Sequence, residues 1–72
     1  MNKSRKKLPA IARNIRNYRH KKGISQDKLS KFAYVSFNTI TKIEAGDTLN
    51  PTIETMVKIA KALGVTIEDL VK

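Results

Sequence analysis

From its first ordered stretch the chain places apolar residues at three- and four-residue steps: Leu8, Ile11, Ala12, Ile15 and Tyr18. That is the stripe of an amphipathic helix. Pro9 suits a first helical position and Gly23 a left-handed end, so the pattern predicts a helix over about 9–22. The opposite face carries Arg13, Arg16, Asn17 and Lys21, and the last turn holds His20, Lys21 and Lys22, where positive charge complements the helix dipole. Ser25 then stands as an N-cap, with Asp27 in the first turn and Ile24 placed to staple against Leu29 across the cap. A second helix over about 26–33 follows, with Leu29, Phe32 and Ala33 on one face. Tyr18 and Phe32 are expected inside.

The cap and staple then recur. Val35 precedes Ser36 as Ile24 precedes Ser25, and Ile40 takes the place of Leu29, which begins a third helix ending near Gly46. Only Tyr34 and Val35 lie between the second helix and this cap. Two short helices so joined cannot run side by side; they cross steeply, as in a helix-turn-helix. Thr52 caps a fourth helix over about 53–63, in which Ile53, Met56, Val57, Ala60 and Leu63 form the stripe and Gly64 the end. Thr66 and Asp69 frame a brief fifth. No segment alternates long enough for a strand, so the chain is all-α, and the capping echoes are too unevenly spaced for a solenoid repeat.

The third helix separates two kinds of chemistry. At about 100° per residue from Phe37, Ile40 and Ile43 point near 300° and 240°, whereas Phe37, Asn38, Thr41, Lys42 and Ala45 fill the arc from 0° to about 140°. That arc offers an amide, a hydroxyl, an ammonium and a ring; Glu44, near 340°, falls off it. Asn pairs with adenine N6 and N7, Lys donates to guanine, Thr serves either, and an apolar group meets the thymine methyl, which is the equipment of a major-groove reader. A plain solvated helix face with one exposed Phe is the competing reading.

Charge shifts the balance. The chain has 72 residues and a net charge of +9, short enough for a single domain. Residues 1–36 hold eleven basic and one acidic side chain, residues 37–72 four and five. So polarised a field attracts polyanions, nucleic acid first, an anionic membrane or acidic protein after it. Residues 1–8, with Lys3, Arg5, Lys6 and Lys7, read as a flexible basic arm that attracts phosphate without reading bases, ahead of a folded domain over 9–72. Arg13 and Arg16 join them as phosphate contacts.

Much chemistry is excluded. There is no Cys, and the one His, His20, lacks companion ligands, so no metal, cofactor or catalytic residue is expected and the chain is not read as an enzyme. Arg13 and Arg16 interrupt the apolar run after the basic start, so neither a signal peptide nor a membrane span is expected. The expected location is the cytoplasm, on the nucleoid when bound to DNA.

Together, Gly-Ile-Ser-Gln-Asp-Lys-Leu at 23–29, Ile-Glu-Ala-Gly at 43–46 and Ile-Ala-Lys-Ala-Leu-Gly-Val at 59–65 resemble the Cro and phage-repressor type of helix-turn-helix, often called the Xre family. The resemblance runs without gaps from about 9 to 71. It implies a compact five-helix, lambda-repressor-like DNA-binding domain, the second and third helices forming the motif and the third lying in the major groove. By position it implies that Gln26 holds a phosphate at a helix N-terminus, where free amides favour an anion, that Phe37, Asn38, Thr41 and Lys42 face bases with Ser36 at their edge, and that Arg19 and Glu44 form a structural ion pair. Two departures stand out. Tyr34 occupies the turn position usually held by Gly, a strain of about 1–2 kcal/mol if the backbone is left-handed. Thr52 stands where some members offer an Arg to the minor groove.

These readings converge on a small transcriptional regulator, in the main a repressor, that binds double-stranded DNA by sequence. Ile67, Leu70 and Val71 on a terminal helix too short to bury itself suggest a homodimer surface and hence a palindromic operator, unless they merely close the core. An antitoxin or phage-control module that binds a protein partner, with DNA secondary, is one rival; a basic RNA-binding bundle is another.

Overall fold

The computed structural model describes residues 8–48 and 50–72. The arm cations Lys3, Arg5, Lys6 and Lys7 lie outside the described residues. Five helices follow in order: α1 (Ala10–Lys22), α2 (Gln26–Ala33), α3 (Phe37–Glu44), α4 (Ile53–Leu63) and α5 (Ile67–Val71). Each begins where the sequence places a cap, within a residue. Pro9 is the N-cap of α1 rather than its first helical residue. The hydroxyls of Ser25, Ser36, Thr52 and Thr66 accept the backbone N–H three residues on, at 3.0–3.1 Å. Each cap satisfies an orphan donor and contributes about 1 kcal/mol. At Thr66 the box is closed by Asp69, whose carboxylate accepts the Thr66 N–H at 3.0 Å. That backbone bond, then the Thr66 hydroxyl, holds the Asp69 carboxyl below its ordinary range.

α1 packs against α3, α4 and α5, and α2 against α3 and α4. Ile15, Leu29, Ile40, Ile43, Ile59 and Leu70 are fully buried where these helices meet. Tyr18, Ile24, Val35 and Ile67 border them, half-buried. Phe32 departs from expectation: it is 53% exposed. On α2 it sits about 60° from Leu29, on the side away from Ala33, and the buried arc extends the other way, to Ser30. Ser30 tolerates burial because its hydroxyl donates to the Asp27 carbonyl at 2.6 Å.

Leu70 also corrects an expectation. Fully buried within its own chain, it closes the core and offers nothing to a partner surface. Its carbonyl accepts a bond from Asn14 Nδ2 at 2.8 Å, tying the short α5 back to α1. Ile67 packs on the core and Val71 is half exposed.

Two backbone positions set the link geometry. Tyr34 ends α2 in the left-handed region, φ 58° and ψ 41°, the single non-glycine with positive φ among the described residues. This bend lets Val35 N–H reach the Ser30 carbonyl at 3.1 Å and turns the chain into α3 within two residues. Gly46, φ 82°, follows α3, and a Cβ there would lie 3.1 Å from both Leu8 and Pro9. A side chain at 46 would therefore push the entry of α1 away from the end of α3.

Candidate nucleic-acid interface

The inner side of α3 is sealed by Ile40 and Ile43, which leaves its outer side as a presented surface. Phe37 is half exposed there, Asn38 and Lys42 are exposed, and Thr41 is half-buried. Thr41 donates its hydroxyl proton to the Asn38 carbonyl at 2.9 Å, leaving the oxygen as an acceptor. Ser36, exposed at the N-cap, also donates to Thr39 Oγ1 at 2.8 Å.

Glu44 supplies the electrostatic half of the site. It is buried, 1% exposed, and Arg19 grips it with two bonds, Nε to Oε2 at 2.8 Å and Nη2 to Oε1 at 2.9 Å. This parallel fork is the strong geometry for a guanidinium and a carboxylate. The expected brace between α1 and α3 is thus present, and Arg19 extends it by donating to the Ile24 carbonyl at 3.0 Å. Burial raises the Glu44 pKa, but the bonds from Arg19 and Gln26, with the charges of Arg19 and Arg16, outweigh it, and the carboxyl lies below its ordinary range. The bond to Glu44 likewise holds the Arg19 guanidinium above its ordinary range. The one carboxylate of α3 is therefore neutralised inside the fold, and the outer face is neutral to cationic.

The residues assigned to phosphate are arranged unequally. Gln26, the first residue of α2, donates through Nε2 to Glu44 Oε1 at 3.0 Å. One of its amide hydrogens is committed to the brace, and this bond fixes the side chain beside the end of α3. Arg16 donates to the Glu44 carbonyl at 3.2 Å and approaches the carboxylate at 4.0 Å, with its side chain 44% exposed. Arg13 instead turns back to donate to the Leu8 carbonyl. Arg16, Gln26 and the C-terminal end of α3 therefore cluster, while Arg13 is directed to the start of α1.

A polar groove flanks α3. Asn38, Thr39 and Lys42 form one wall, and Thr48, Asn50, Pro51, Thr52 and Thr55, from the following loop and the first turn of α4, form the other. Of the residues on this second wall, Thr52 was singled out from the sequence only as a helix cap and as a departure from the family, and none was read as part of a groove. Their signal was Thr48, Asn50 and Thr52 at alternate positions between Asp47 and Glu54, without a basic residue, which reads as ordinary loop composition until the fold sets it beside α3. Among the described residues, no cluster of His, Asp and Glu could hold a metal ion, and no helix is long and apolar enough to cross a membrane.

A pair of short helices joined by Tyr34, Val35 and Ser36, the second presenting an uncharged-to-cationic face beside a polar groove, meets the family comparison directly. The helix-turn-helix family model matches residues 15–70. The chain belongs to that family, in its Cro and phage-repressor type. Among solved structures, this helix-turn-helix domain is similar to the N-terminal DNA-binding domain of SinR from Bacillus subtilis, with 31% identity and a TM-score of 0.84 over 86% of this chain and 90% of that one. It is also similar to the P22 c2 repressor in complex with a synthetic operator, with 31% identity and a TM-score of 0.80 over 93% and 97% of the two chains. A third likeness is a hypothetical transcription factor from Neisseria, with 27% identity and a TM-score of 0.83 over 94% and 85%. Among curated proteins none matches.

Proposed function

We propose that this helix-turn-helix protein is a transcriptional regulator that binds double-stranded DNA by sequence, inserts α3 into the major groove and represses by occupying a promoter. The observation that carries this reading is the state of Glu44: with that carboxylate buried and paired, α3 approaches phosphate with no negative charge on its outer face. Asn38 and Lys42, supported by Phe37, Thr41 and Ser36, read base edges. Gln26 and Arg16 hold backbone phosphates beside the helix ends, Arg13 joins them once released from Leu8, and the basic arm over 1–7 adds sequence-independent attraction. The protein works in the cytoplasm, on the nucleoid, as a homodimer on a palindromic operator, with Val71 and the outer edge of Ile67 in the two-fold surface. SinR and the P22 repressor, both described as DNA-binding, support the reading.

The test is selection of binding sites from a random duplex pool at about 0.15 M salt, where an enriched inverted repeat is expected. On that site Asn38→Ala or Lys42→Ala weakens binding by about 1–3 kcal/mol and spares non-specific DNA, whereas deleting residues 1–7 weakens every sequence and flattens the salt dependence. A pool that yields no consensus, or losses that are equal on every duplex, refutes base reading by α3.

A further inference from the structure

The C-terminal ends of α2 and α4 enclose a second groove, which the DNA reading leaves unused. It is lined by Phe32, Ala33, Tyr34, Lys58, Lys61 and Ala62. Its lining combines methyls and a phenyl ring with a phenol and two ammonium groups. Phe32 is 53% and Tyr34 86% exposed, so both rings face solvent. Tyr34 does so from a left-handed backbone that disfavours any residue with a Cβ. Inside this chain the ring returns almost no packing for that conformation.

The charge around the groove is one-sided. No carboxylate lines it. Lys58 is shared with Glu54 at 3.6 Å, and Lys61 has no ion-pair partner among the described residues. Along α4 the polar groove ends at Thr55 and the apolar one takes Lys58, Lys61 and Ala62, beginning about 4.5 Å further along the helix axis at 1.5 Å per residue. No residue lines both.

We propose that this groove docks an acidic segment of a partner protein that carries a bulky apolar side chain. The apolar group seats on Phe32, Ala33 and Ala62, while flanking carboxylates meet Lys61 and Lys58 and accept from the Tyr34 hydroxyl. Charge complementarity selects this occupant. A second copy of the chain, at +9 overall, is repelled as a whole by a cationic rim, and because its residues 37–72 hold five acidic against four basic side chains, self-association is an outcome the test must exclude. A nucleic-acid backbone needs a run of donors, and here the two lining cations, Lys58 and Lys61, both stand on α4. The proposal does not depend on how α3 reads DNA.

The test pans a random peptide library against the wild-type full chain, with counter-selection on Lys61→Glu. The selected peptide is then titrated while backbone amide shifts are followed. Expected are sequences with Asp or Glu flanking Phe, Leu or Trp, and shifts confined to 32–34 and 58–62. Lys61→Glu weakens the peptide by about 10-fold or more, as loss and reversal of a facing charge should. Tyr34→Gly also weakens it, with a melting temperature no lower than wild type and unchanged operator binding, which separates lost docking from lost folding. The proposal is overturned if nothing is enriched, if the enriched peptides are basic, or if the shifts fall elsewhere. It is equally overturned if single- or double-stranded oligonucleotides, or self-association of the chain, move these same amides.

Discussion

Replacing Arg19 with Ala removes its two bonds to Glu44 and leaves a carboxylate that is 1% exposed facing a cavity. Hydrogen bonds to charged groups contribute about 1.5–3 kcal/mol each, and breaking a buried pair from one side costs about 3–5 kcal/mol. Gln26 at 3.0 Å and Arg16 at 4.0 Å remain, which favours the lower half of that range. A chain of this size has a total stability of roughly 4–11 kcal/mol, so the variant loses a large share of it. At roughly 4–8 °C per kcal/mol, the melting temperature followed by circular dichroism falls by more than about 10 °C near neutral pH. The acid response gives a second reading. In wild type the Glu44 pKa is depressed on folding, so its contribution is complete above the unfolded carboxyl pKa and is lost as pH falls through the folded one. In Arg19→Ala the burial that disfavours the charged form remains while its main compensation is gone, so Glu44 protonates more readily. The gap in melting temperature between wild type and variant should therefore narrow from neutral pH to about pH 3. A gap of a degree or two at neutral pH, or one that is unchanged in acid, would refute the view that this pair braces α1 against α3.

Tyr34→Gly should raise stability, because relief of about 1–2 kcal/mol of left-handed strain exceeds the roughly 0.5–1 kcal/mol of added chain entropy; a lower melting temperature would mean that the exposed ring packs against the chain after all. Leu70→Ala should cost about 2–5 kcal/mol in urea unfolding, against a few tenths for Val71→Ala at the half-exposed neighbouring site. Equal costs would contradict the burial of Leu70.

Helix starts were legible because capping is a local code: a hydroxyl and the N–H three residues on settle the matter within one turn. The ion pair followed from the family resemblance, since nothing local to Arg19 or Glu44 specifies a contact across 25 positions. Phe32 was misread because an eight-residue helix has too few apolar residues to fix the centre of its buried arc. Leu29, Phe32 and Ala33 fit one face, yet α3 and α4 cover the side that includes Ser30. Leu70 was ambiguous for a related reason. A five-residue helix displays an apolar side whether it meets its own core or a partner, and the Asn14 bond that draws it inward spans 56 positions. The polar groove beside α3 joins residues from 38 to 55 that no periodicity connects.

The burial of Glu44 beneath α3 also bears on how such a domain changes its target. Everything that anchors this rod, two isoleucines and a clamped acid, lies underneath, so Phe37, Asn38 and Lys42 are free to be rewritten with little penalty to folding. On the proposed reading of DNA by α3, new operator preferences can then arise by substitution at a few outward sites, on an undercarriage that selection need not revisit.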